Sequence, residues 1–443
     1  MTMQPMHNIP ARGGIDFDES PFLAIWEVTQ SCDLACKHCR AAAQPIPHPD
    51  ELTHEEGKAL IDQIAEMHIP IFVFTGGDPL KRKDVFELIR YAAGKGVHVA
   101  VTPSATPLLT REQIFKMKEA GVVRLGISLD GSSPEIHDAF RGLPGAWART
   151  IQAIEWAGEA GIPIQVHTTI SRHNANDLDN LCNLFEKLAI VMWNVFFLVP
   201  VGRGQLDDLL SGEEFEQVFG KIYELSRRAN FQIKTTEAMH YRRYLLQHNL
   251  EEKRAAHANS SGHGHPGTAV LDIGNHPSPE HKVSGHDFSR AEQTANKNEG
   301  ALAPAYEPGT PTAEAKTRNM SWATRRVNDG KGFVFISHMG NVYPSGFLPI
   351  HAGNIRETPL ADIYRNAPIF KALRDTKRLE GKCGACEYKE ICGGSRARAY
   401  ALTGDPLAAE PCCIYQPKNW DPEREQTAET FKQWSPVEPM VTL

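Results

Sequence analysis

Three cysteines near the start of the chain have the spacing of an iron–sulfur site. Cys32, Cys36 and Cys39 form the pattern C-x3-C-x2-C directly after an apolar segment, residues 22–28. Three thiolates on one loop bind three irons of a [4Fe–4S] cluster and leave the fourth iron open to a substrate or cofactor. A structural zinc site needs four closed ligands. The spacing therefore predicts a catalytic cluster with one open iron.

A second group of cysteines lies near the end of the chain. Its spacing is C-x2-C-x5-C followed by a distant cysteine, and the candidate ligands are Cys383, Cys386, Cys392 and Cys413, with Cys412 as the alternative to Cys413. Four thiolates close the coordination of an auxiliary [4Fe–4S] cluster, but zinc ribbons use the same C-x2-C step. Cys182 lies on an amphipathic stretch and is predicted to be a small buried hydrophobe.

The first cysteine loop has to be held by an ordered sheet, and the preceding segments predict one. Short apolar runs occur at residues 22–28, 69–76, 97–103, 122–130, 162–169 and 191–199. Helical patterns lie between them at residues 54–67, 83–96, 110–121, 147–161 and 174–188. Repeated βα units with strands buried on both faces predict a parallel sheet. Six strands are too few for a closed eight-stranded barrel, so we expect an open, partial α/β barrel.

Composition narrows the class of protein. The 443 residues carry a formal net charge of −7 with no long basic run, which does not favour nucleic-acid binding. No apolar stretch is long enough to span a membrane, and the N-terminus lacks an apolar signal core. We therefore expect a cytoplasmic protein. Its nine cysteines then favour metal binding over disulfides.

The remaining segments are assigned by pattern. Residues 1–21 are predicted to be a tail, residues 22–250 the barrel with one or two helices at 212–250, and residues 321–420 a small Cys-rich domain. Residues 251–320 are rich in His, Gly, Pro and Ser and are predicted to be a disordered insertion, and 421–443 a second tail. A β-hairpin is expected at 332–349 and a helix at 359–375.

The C-x3-C-x2-C motif in the first βα loop resembles the radical S-adenosylmethionine (SAM) superfamily. The resemblance implies a partial (β/α)6 barrel, in which the open iron binds S-adenosylmethionine. It also implies reductive cleavage to a 5′-deoxyadenosyl radical that abstracts hydrogen from a substrate. An electron donor such as flavodoxin or ferredoxin would supply the electron.

Further motifs resemble those of the superfamily after the second and fourth strands. Gly76, Gly77, Asp78 and Pro79 resemble its GGEP motif with Asp in place of Glu. The segments S-x-D-G at Ser128 and H-D-x-x-R-G at His137 resemble those of its peptide- and cofactor-maturing branch. The resemblance implies cofactor binding by the GGDP residues and by Ser104, Ser128, Asp130 and Arg141. Loop capping and salt bridging are the structural alternatives, chiefly for Ser104.

The tail resembles the SPASM or twitch extension of the superfamily, which holds one or two auxiliary clusters. Related sequences have Cys where this chain has Ser345 and Ser395, so the resemblance implies one auxiliary cluster. The stretch from Gly384 through Tyr400 is similar to enzymes that trim propionate side chains of haem precursors, in d-type haem synthesis and in the alternative haem pathway. Arg396 and Arg398 would then pair with substrate carboxylates, or equally brace the cluster loop.

These resemblances predict a radical SAM enzyme that modifies side chains of a tetrapyrrole. A second hypothesis is maturation of a peptide by thioether or carbon–carbon cross-linking. Peptide maturases often carry an N-terminal recognition domain, for which residues 1–21 leave no room. A third hypothesis is a non-catalytic iron–sulfur scaffold, which would not need the methionine-binding GGDP loop.

Overall fold

A parallel sheet forms the centre of the fold. The computed structural model describes residues 15–260 and 326–421, with side chains as far as residue 255 in the first range. Seven strands pair in parallel in chain order: β1 Leu23–Glu27, β2 Ile71–Thr75, β3 Val99–Val101, β4 Arg124–Ser128, β5 Ile164–Ile170, β6 Met192–Phe197 and β7 Gln232–Thr236. The predicted α/β architecture with an open parallel sheet is confirmed.

Helices connect these strands, as βα units require. They are α1 His54–Glu66, α2 Val85–Gly94, α3 Arg111–Glu119, α4 Pro134–Arg141, α5 Ala146–Glu159, α6 Leu178–Phe185, α7 Gly212–Arg228 and α8 Tyr241–Ser260. Local residues begin and end them. Thr53 and Glu56 form a capping box at the start of α1, and Gly142 ends α4 in a left-handed conformation with φ 69°.

The C-terminal part of the chain extends the same sheet. Strand β8 (Phe333–Ile336) pairs in parallel with β1, and β9 (Asn341–Tyr343) and β10 (Gly353–Asn354) follow antiparallel. The predicted hairpin at 332–349 therefore forms. Four short helices complete this part: α9 Leu360–Asn366, α10 Pro368–Arg374, α11 Gly381–Ala385 and α12 Arg396–Thr403.

Three sequence predictions need correction. Residues 212–250 contain β7 between two helices; its polar residues Lys234, Thr235 and Thr236 hid the strand. The helix expected at 359–375 is two helices, because Ala367 precedes a proline and is extended with ψ 133°. Helix α8 continues to Ser260, beyond the predicted boundary at residue 250. The rest of the predicted insertion and its histidines lie outside the described residues.

Alternate residues of each strand face the helices. In β1, Ala24 and Trp26 are fully buried in the main apolar core, and Trp26 stacks on Phe72 with ring centroids 6.4 Å apart. The intervening residues of each strand point to the opposite face of the sheet. Among the described helices, none has the length and apolarity that crossing a bilayer demands.

A glycine sets the distance between α1 and the sheet. A Cβ atom on Gly57 would lie 2.8 Å from Cη2 of Trp26 and 3.1 Å from Leu88 Cδ2. A rigid indole ring surrounded by other rings has little freedom to move away.

We expect Gly57→Ala to lower the free energy of unfolding by about 1–3 kcal/mol, the usual cost of overpacking a core. The matched control is Gly158→Ala in α5, where a Cβ meets no atom within 4 Å. That change should raise the free energy of unfolding by about 0.5–1 kcal/mol, because alanine favours helix. Urea unfolding followed by circular dichroism compares them. Equal stability of the two variants would contradict the close contact at Trp26.

Candidate active site

The three cysteines of the first motif lie on the loop between β1 and α1. Cys32 and Cys36 are buried, Cys39 is half-buried, and they pack with Leu34 in one small apolar cluster. The backbone N–H of Cys32 donates to the carbonyl of Gln44 at 2.8 Å, which closes the loop. The fold therefore brings these three thiols together.

Hydrogen-bond donors surround the sulfur atoms. The backbone N–H of Leu34 lies 3.4 Å from Cys32 Sγ, the Ser104 hydroxyl lies 3.6 Å from the same sulfur, and Arg141 Nη1 lies 3.8 Å from Cys36 Sγ. Burial raises the pKa of Cys32 to about 11. The thiols are therefore expected to become thiolates only when a cation such as iron binds their sulfur atoms. Three thiols with donors at the sulfurs fit a cluster bound through three of its irons.

A cavity of about 490 Å³ adjoins the cysteine loop, and Leu34 and Arg141 belong to its wall. Five of the eight residues predicted to bind the cofactor also line it: Gly76, Gly77, Ser104, Ser128 and Arg141. These residues come from the carboxyl ends of β2, β3 and β4 and from α4. Ligands of open α/β sheets bind at this edge.

The glycine loop contacts the cysteine loop through the backbone. The N–H of Gly77 donates to Thr29 O at 2.8 Å, and the N–H of Asp78 donates to Ser31 O at 2.7 Å. A Cβ on Gly77 would lie 2.4 Å from Ser31 O, and one on Gly76 would lie 2.6 Å from Thr29 O. Glycine is therefore required here for close packing of two loops.

Asp78 uses both carboxylate oxygens inside the protein. Oδ1 accepts the N–H groups of Leu80 at 3.2 Å and Ser104 at 3.4 Å, and Oδ2 accepts the Thr106 hydroxyl at 2.8 Å. Burial raises the pKa of Asp78 to about 6. Neither Asp78 nor Pro79, which begins a 3-10 turn, lines the cavity. Their geometry supports shaping of the loop instead of direct contact with a cofactor.

Asp130 lies behind Arg141. Its Oδ2 accepts Arg141 Nε at 2.6 Å, and its Oδ1 accepts the N–H of Thr169 at 2.7 Å. Burial raises the pKa of Asp130, and Arg141 opposes that effect. Asp130 therefore positions the guanidinium between Cys36 and the cavity, and Arg141 itself faces the cavity.

Sequence reasoning missed three polar residues of the cavity wall: Thr75, Thr102 and His137. His137 Nδ1 accepts the N–H of Asp130 at 3.0 Å, so its proton is on Nε2. Nε2 is buried and has no hydrogen-bond partner among the described residues. Burial lowers the pKa of His137 to about 3, so the ring is neutral. The two threonines follow the general signal of polar residues at the carboxyl ends of parallel strands.

The second cysteine group lines a separate pocket, to which Cys383, Cys386, Cys392 and Cys413 all contribute. Backbone N–H groups donate to three of these sulfurs. Glu410 donates to Cys383 at 3.2 Å, and Tyr388 and Gly394 donate to Cys386 and Cys392 at 3.4 Å each. Burial raises the pKa of Cys413 to about 11. The donor set fits four thiolate ligands of one cluster.

The neighbouring Cys412 is directed elsewhere. Its Sγ donates to the carbonyl of Leu210 at 3.9 Å, and it does not line the four-cysteine cavity. The geometry therefore favours Cys413 of the two candidates. Cys182 is buried on α6 in the main apolar core, as its pattern predicted.

Ser345 and Ser395, the two serines singled out in the tail sequence, have structural contacts. Ser395 caps α12 by accepting the N–H of Arg398 at 2.9 Å, and Ser345 Oγ accepts the N–H of Phe347 at 3.2 Å. Within residues 15–260 and 326–421, no group of three or more His, Cys, Asp or Glu side chains is placed to hold a single metal ion.

Arg396 and Arg398 are fully buried and brace the tail. Arg398 Nε pairs with Glu410 at 2.9 Å, and its Nη1 donates to Leu198 O at 3.2 Å. Arg396 Nη1 donates to the carbonyls of Pro406 at 3.1 Å and Ala408 at 2.7 Å. Their geometry supports the bracing interpretation instead of contact with substrate carboxylates.

Known proteins match this architecture. The sequence pattern of the radical SAM superfamily matches residues 26–185, and that of the SPASM iron–sulfur cluster-binding domain matches 328–387. The AdoMet-dependent heme synthase of Methanosarcina barkeri is 38% identical over 403 residues, covering 91% of this chain and 99% of the relative. The Fe-coproporphyrin III synthase of the same organism is 29% identical over 406 residues, covering 89% and 88%.

A solved structure shares the fold. Streptococcus suis SuiB bound to S-adenosylmethionine has a TM-score of 0.60 at 14% identity, covering 90% of this chain and 78% of SuiB. The matches show an enzyme and exclude the scaffold hypothesis. The matches also confirm the cofactors expected for this enzyme: a [4Fe–4S] cluster, S-adenosylmethionine and an auxiliary cluster. The chain belongs to the radical SAM superfamily, within the family of the AdoMet-dependent heme synthases, and carries a SPASM domain.

Proposed function

We propose that this enzyme converts propionate side chains of an iron porphyrin into vinyl groups and so forms heme. One observation supports the radical chemistry: Leu34, which packs with the three cysteines, also belongs to the wall of the adjoining cavity. The likeness to the heme synthase of Methanosarcina barkeri over nearly the whole chain supports the substrate class.

The cysteine loop and the adjoining cavity suit a radical route. When bound and reduced by one electron, the cluster and S-adenosylmethionine would supply a 5′-deoxyadenosyl radical and release methionine. Removal of a hydrogen atom from the propionate carbon next to the ring would give 5′-deoxyadenosine. Breaking the bond to the carboxylate carbon would then release carbon dioxide and leave a vinyl group and one electron. A one-electron acceptor must take that electron, and the tail cluster belongs to that class.

The protein side chains have three tasks in this scheme. Ser104, Ser128, Arg141 and His137 bind and orient the cofactor in the cavity. Asp130 keeps the guanidinium of Arg141 beside Cys36. The cavity walls would exclude water once the cofactor and substrate fill the space between them, which protects a reactive radical.

Aromatic residues near the open end of the sheet suit a flat porphyrin. The rings of Phe196 in β6 and Phe347 after β9 are partly exposed, with centroids 6.1 Å apart. Arg40 lies over Phe335 at 4.3 Å and also pairs with Glu27. Its Nη1 has no hydrogen-bond partner among the described residues. A guanidinium beside aromatic rings is suited to a carboxylate carried on a flat ligand.

The proposed cellular setting follows from the two clusters. Flavodoxin or ferredoxin would deliver the first electron. The cytoplasm keeps thiols reduced, which suits nine cysteines that form no disulfide and seven of which are proposed to bind iron.

The test is a reaction mixture without oxygen that contains at least two molecules of S-adenosylmethionine for each porphyrin, because heme has two vinyl groups. Reconstituted enzyme, S-adenosylmethionine, a strong reductant and iron coproporphyrin III should yield heme, carbon dioxide and 5′-deoxyadenosine. One 5′-deoxyadenosine is expected for each vinyl group, because each propionate loses one hydrogen atom. Release of 5′-deoxyadenosine with an unchanged porphyrin, but with a cross-linked product from a peptide, would favour peptide maturation.

The matched variant replaces Cys32, Cys36 and Cys39 with alanine. Iron content should fall from about eight to about four per chain, and cofactor cleavage should stop, as expected for loss of one [4Fe–4S] cluster. Cys182→Ala is the control, because this thiol lies in the apolar core. About four irons in the wild type and none in the triple variant would contradict the tail cluster.

We expect His137→Asn to weaken binding of S-adenosylmethionine about fivefold, the effect of losing a hydrogen bond of about 1 kcal/mol. Asn Oδ1 can replace Nδ1 as acceptor for the N–H of Asp130, so the variant removes chiefly the Nε2 donor. Anaerobic equilibrium dialysis measures the dissociation constant. His98→Asn, at the opposite end of the sheet, is the control. An unchanged dissociation constant in His137→Asn would show that Nε2 does not contact the cofactor.

Removing the charge of Arg398 should destabilise the fold. Arg398→Leu leaves Glu410 buried without its partner, which costs about 3–5 kcal/mol. Burial would raise the pKa of Glu410, but the Arg398 guanidinium and the backbone N–H of Ser395 outweigh burial and hold it below its usual value. The pair therefore stabilises the fold above the ordinary Glu pKa, and that contribution disappears as pH falls through the lowered value.

Urea unfolding at neutral and acidic pH measures this effect. Arg111→Leu removes an exposed ion pair with Glu159 and should change the free energy of unfolding by less than about 0.5 kcal/mol. A stable Arg398→Leu protein with weaker porphyrin binding would instead restore the substrate-binding interpretation of Arg398.

A further inference from the structure

We propose that His240 donates a hydrogen bond to a sulfur of the tail cluster and thereby raises the reduction potential of that cluster. The proposal rests on the ligand set Cys383, Cys386, Cys392 and Cys413 of the proposed function. It does not depend on the identity of the substrate.

His240 lies in the turn between β7 and α8 and lines the same cavity as the four cysteines. It is 1% exposed, and neither ring nitrogen has a hydrogen-bond partner among the described residues. A buried polar group left without a hydrogen bond destabilises the fold. A partner within the cavity removes that cost, and cluster sulfides and thiolates are acceptors of the required kind.

The orientation of the ring is fixed by its neighbours. Phe215 stacks on His240 with centroids 5.2 Å apart, and Phe219 meets it edge to face at 4.8 Å. Both phenylalanines belong to α7 and are fully buried. The barrel therefore holds the imidazole rigidly against the tail cavity, so a hydrogen bond there needs no reorganisation of the side chain.

The ring can act as a donor without carrying charge. Burial lowers the pKa of His240 to about 3. A neutral imidazole has one N–H donor and one acceptor nitrogen. Cluster sulfurs only accept, so the N–H tautomer that faces them is favoured. An N–H dipole directed at the cluster stabilises the more negative, reduced state, and hydrogen bonds to the sulfurs are a recognised determinant of potential.

The cationic side chains that line this cavity already have oxygen partners. Lys382 Nζ donates to the carbonyl of Cys413, and Arg243 pairs with Glu216. Four cysteines complete the coordination of four irons, so His240 is placed outside the ligand set. Direct ligation of iron by His240 is the competing arrangement that the experiment has to separate.

The experiment uses the full chain with Cys32, Cys36 and Cys39 replaced by alanine, so that only the tail cluster contributes. The midpoint potential is measured by redox titration followed by electron paramagnetic resonance. His240→Phe should lower the potential, so that the reduced fraction at a fixed poise falls several-fold; a tenfold fall corresponds to about 59 mV for one electron. His240→Gln, which keeps an N–H donor, should restore a value near that of the parent.

Two further measurements make the test specific. Phe185→Leu removes a buried aromatic ring that does not contact His240, so its potential should match the parent. Electron-nuclear double resonance with exchange into D₂O should detect an exchangeable imidazole proton coupled to the reduced cluster, in addition to the backbone N–H groups, and that one signal should be lost in His240→Phe.

Each contrary result has a distinct meaning. About four irons in the tail with an unchanged potential in His240→Phe would overturn the inference and leave the ligand set intact. A strong coupling to the imidazole nitrogen would overturn it in favour of direct ligation. Absence of a tail cluster from the parent chain would overturn both the ligand set and the inference.

Discussion

The close approach of two backbone loops at the carboxyl edge of the sheet is the constraint on which the rest of the site depends. Strands β1 and β2 are parallel and in direct register, so the cysteine loop and the glycine loop leave the sheet side by side. The hydrogen bonds from Gly77 and Asp78 to Thr29 and Ser31 join them. Neither Gly76 nor Gly77 leaves space for a Cβ atom, so the two loops pack closely. Residues of the cysteine loop and of the glycine loop therefore line the same cavity. Ser104 extends that wall, since it contacts both Gly77 O at 2.8 Å and Cys32 Sγ at 3.6 Å.

The tail is fixed to the barrel by strong, buried interactions. Strand β8 pairs with β1, the strand that precedes the catalytic cysteines, and Arg398 donates to the carbonyls of Leu198 after β6 and Glu237 after β7. A hinged tail would vary the distance between two redox centres, whereas these contacts hold it constant. A substrate bound at the open edge of the sheet therefore has a fixed relation to both cysteine groups, as the electron transfer proposed above would require.

Local sequence patterns predicted the parts of this site that depend on spacing, and missed those that depend on packing. The two cysteine groups and the two glycines are recognisable because a loop of fixed length needs them at fixed positions. The roles of Asp78 and Asp130 were not recognisable, since they depend on Thr106 and Thr169, which lie far away in sequence. His137 was quoted within its motif, but its unpaired nitrogen is identified only by the N–H of Asp130 that occupies the other one. Strand β7 was missed because three of its five residues are Lys or Thr, which do not give the apolar run seen in the other strands.

Charge compensation explains why so many buried ionisable groups surround two sites that hold anionic thiolates. An uncompensated carboxylate near a cluster disfavours its reduction, because reduction adds negative charge. Asp130, the carboxylate behind Cys36, is neutralised by Arg141, and Glu410 beside Cys383 is neutralised by Arg398. The histidines that face the cavities, His137 and His240, are held neutral by burial and so can offer N–H dipoles without an additional charge. Pairing of Asp130 and Glu410 therefore removes two negative charges that would oppose reduction, and it increases the relative effect of the dipoles directed at the sulfurs.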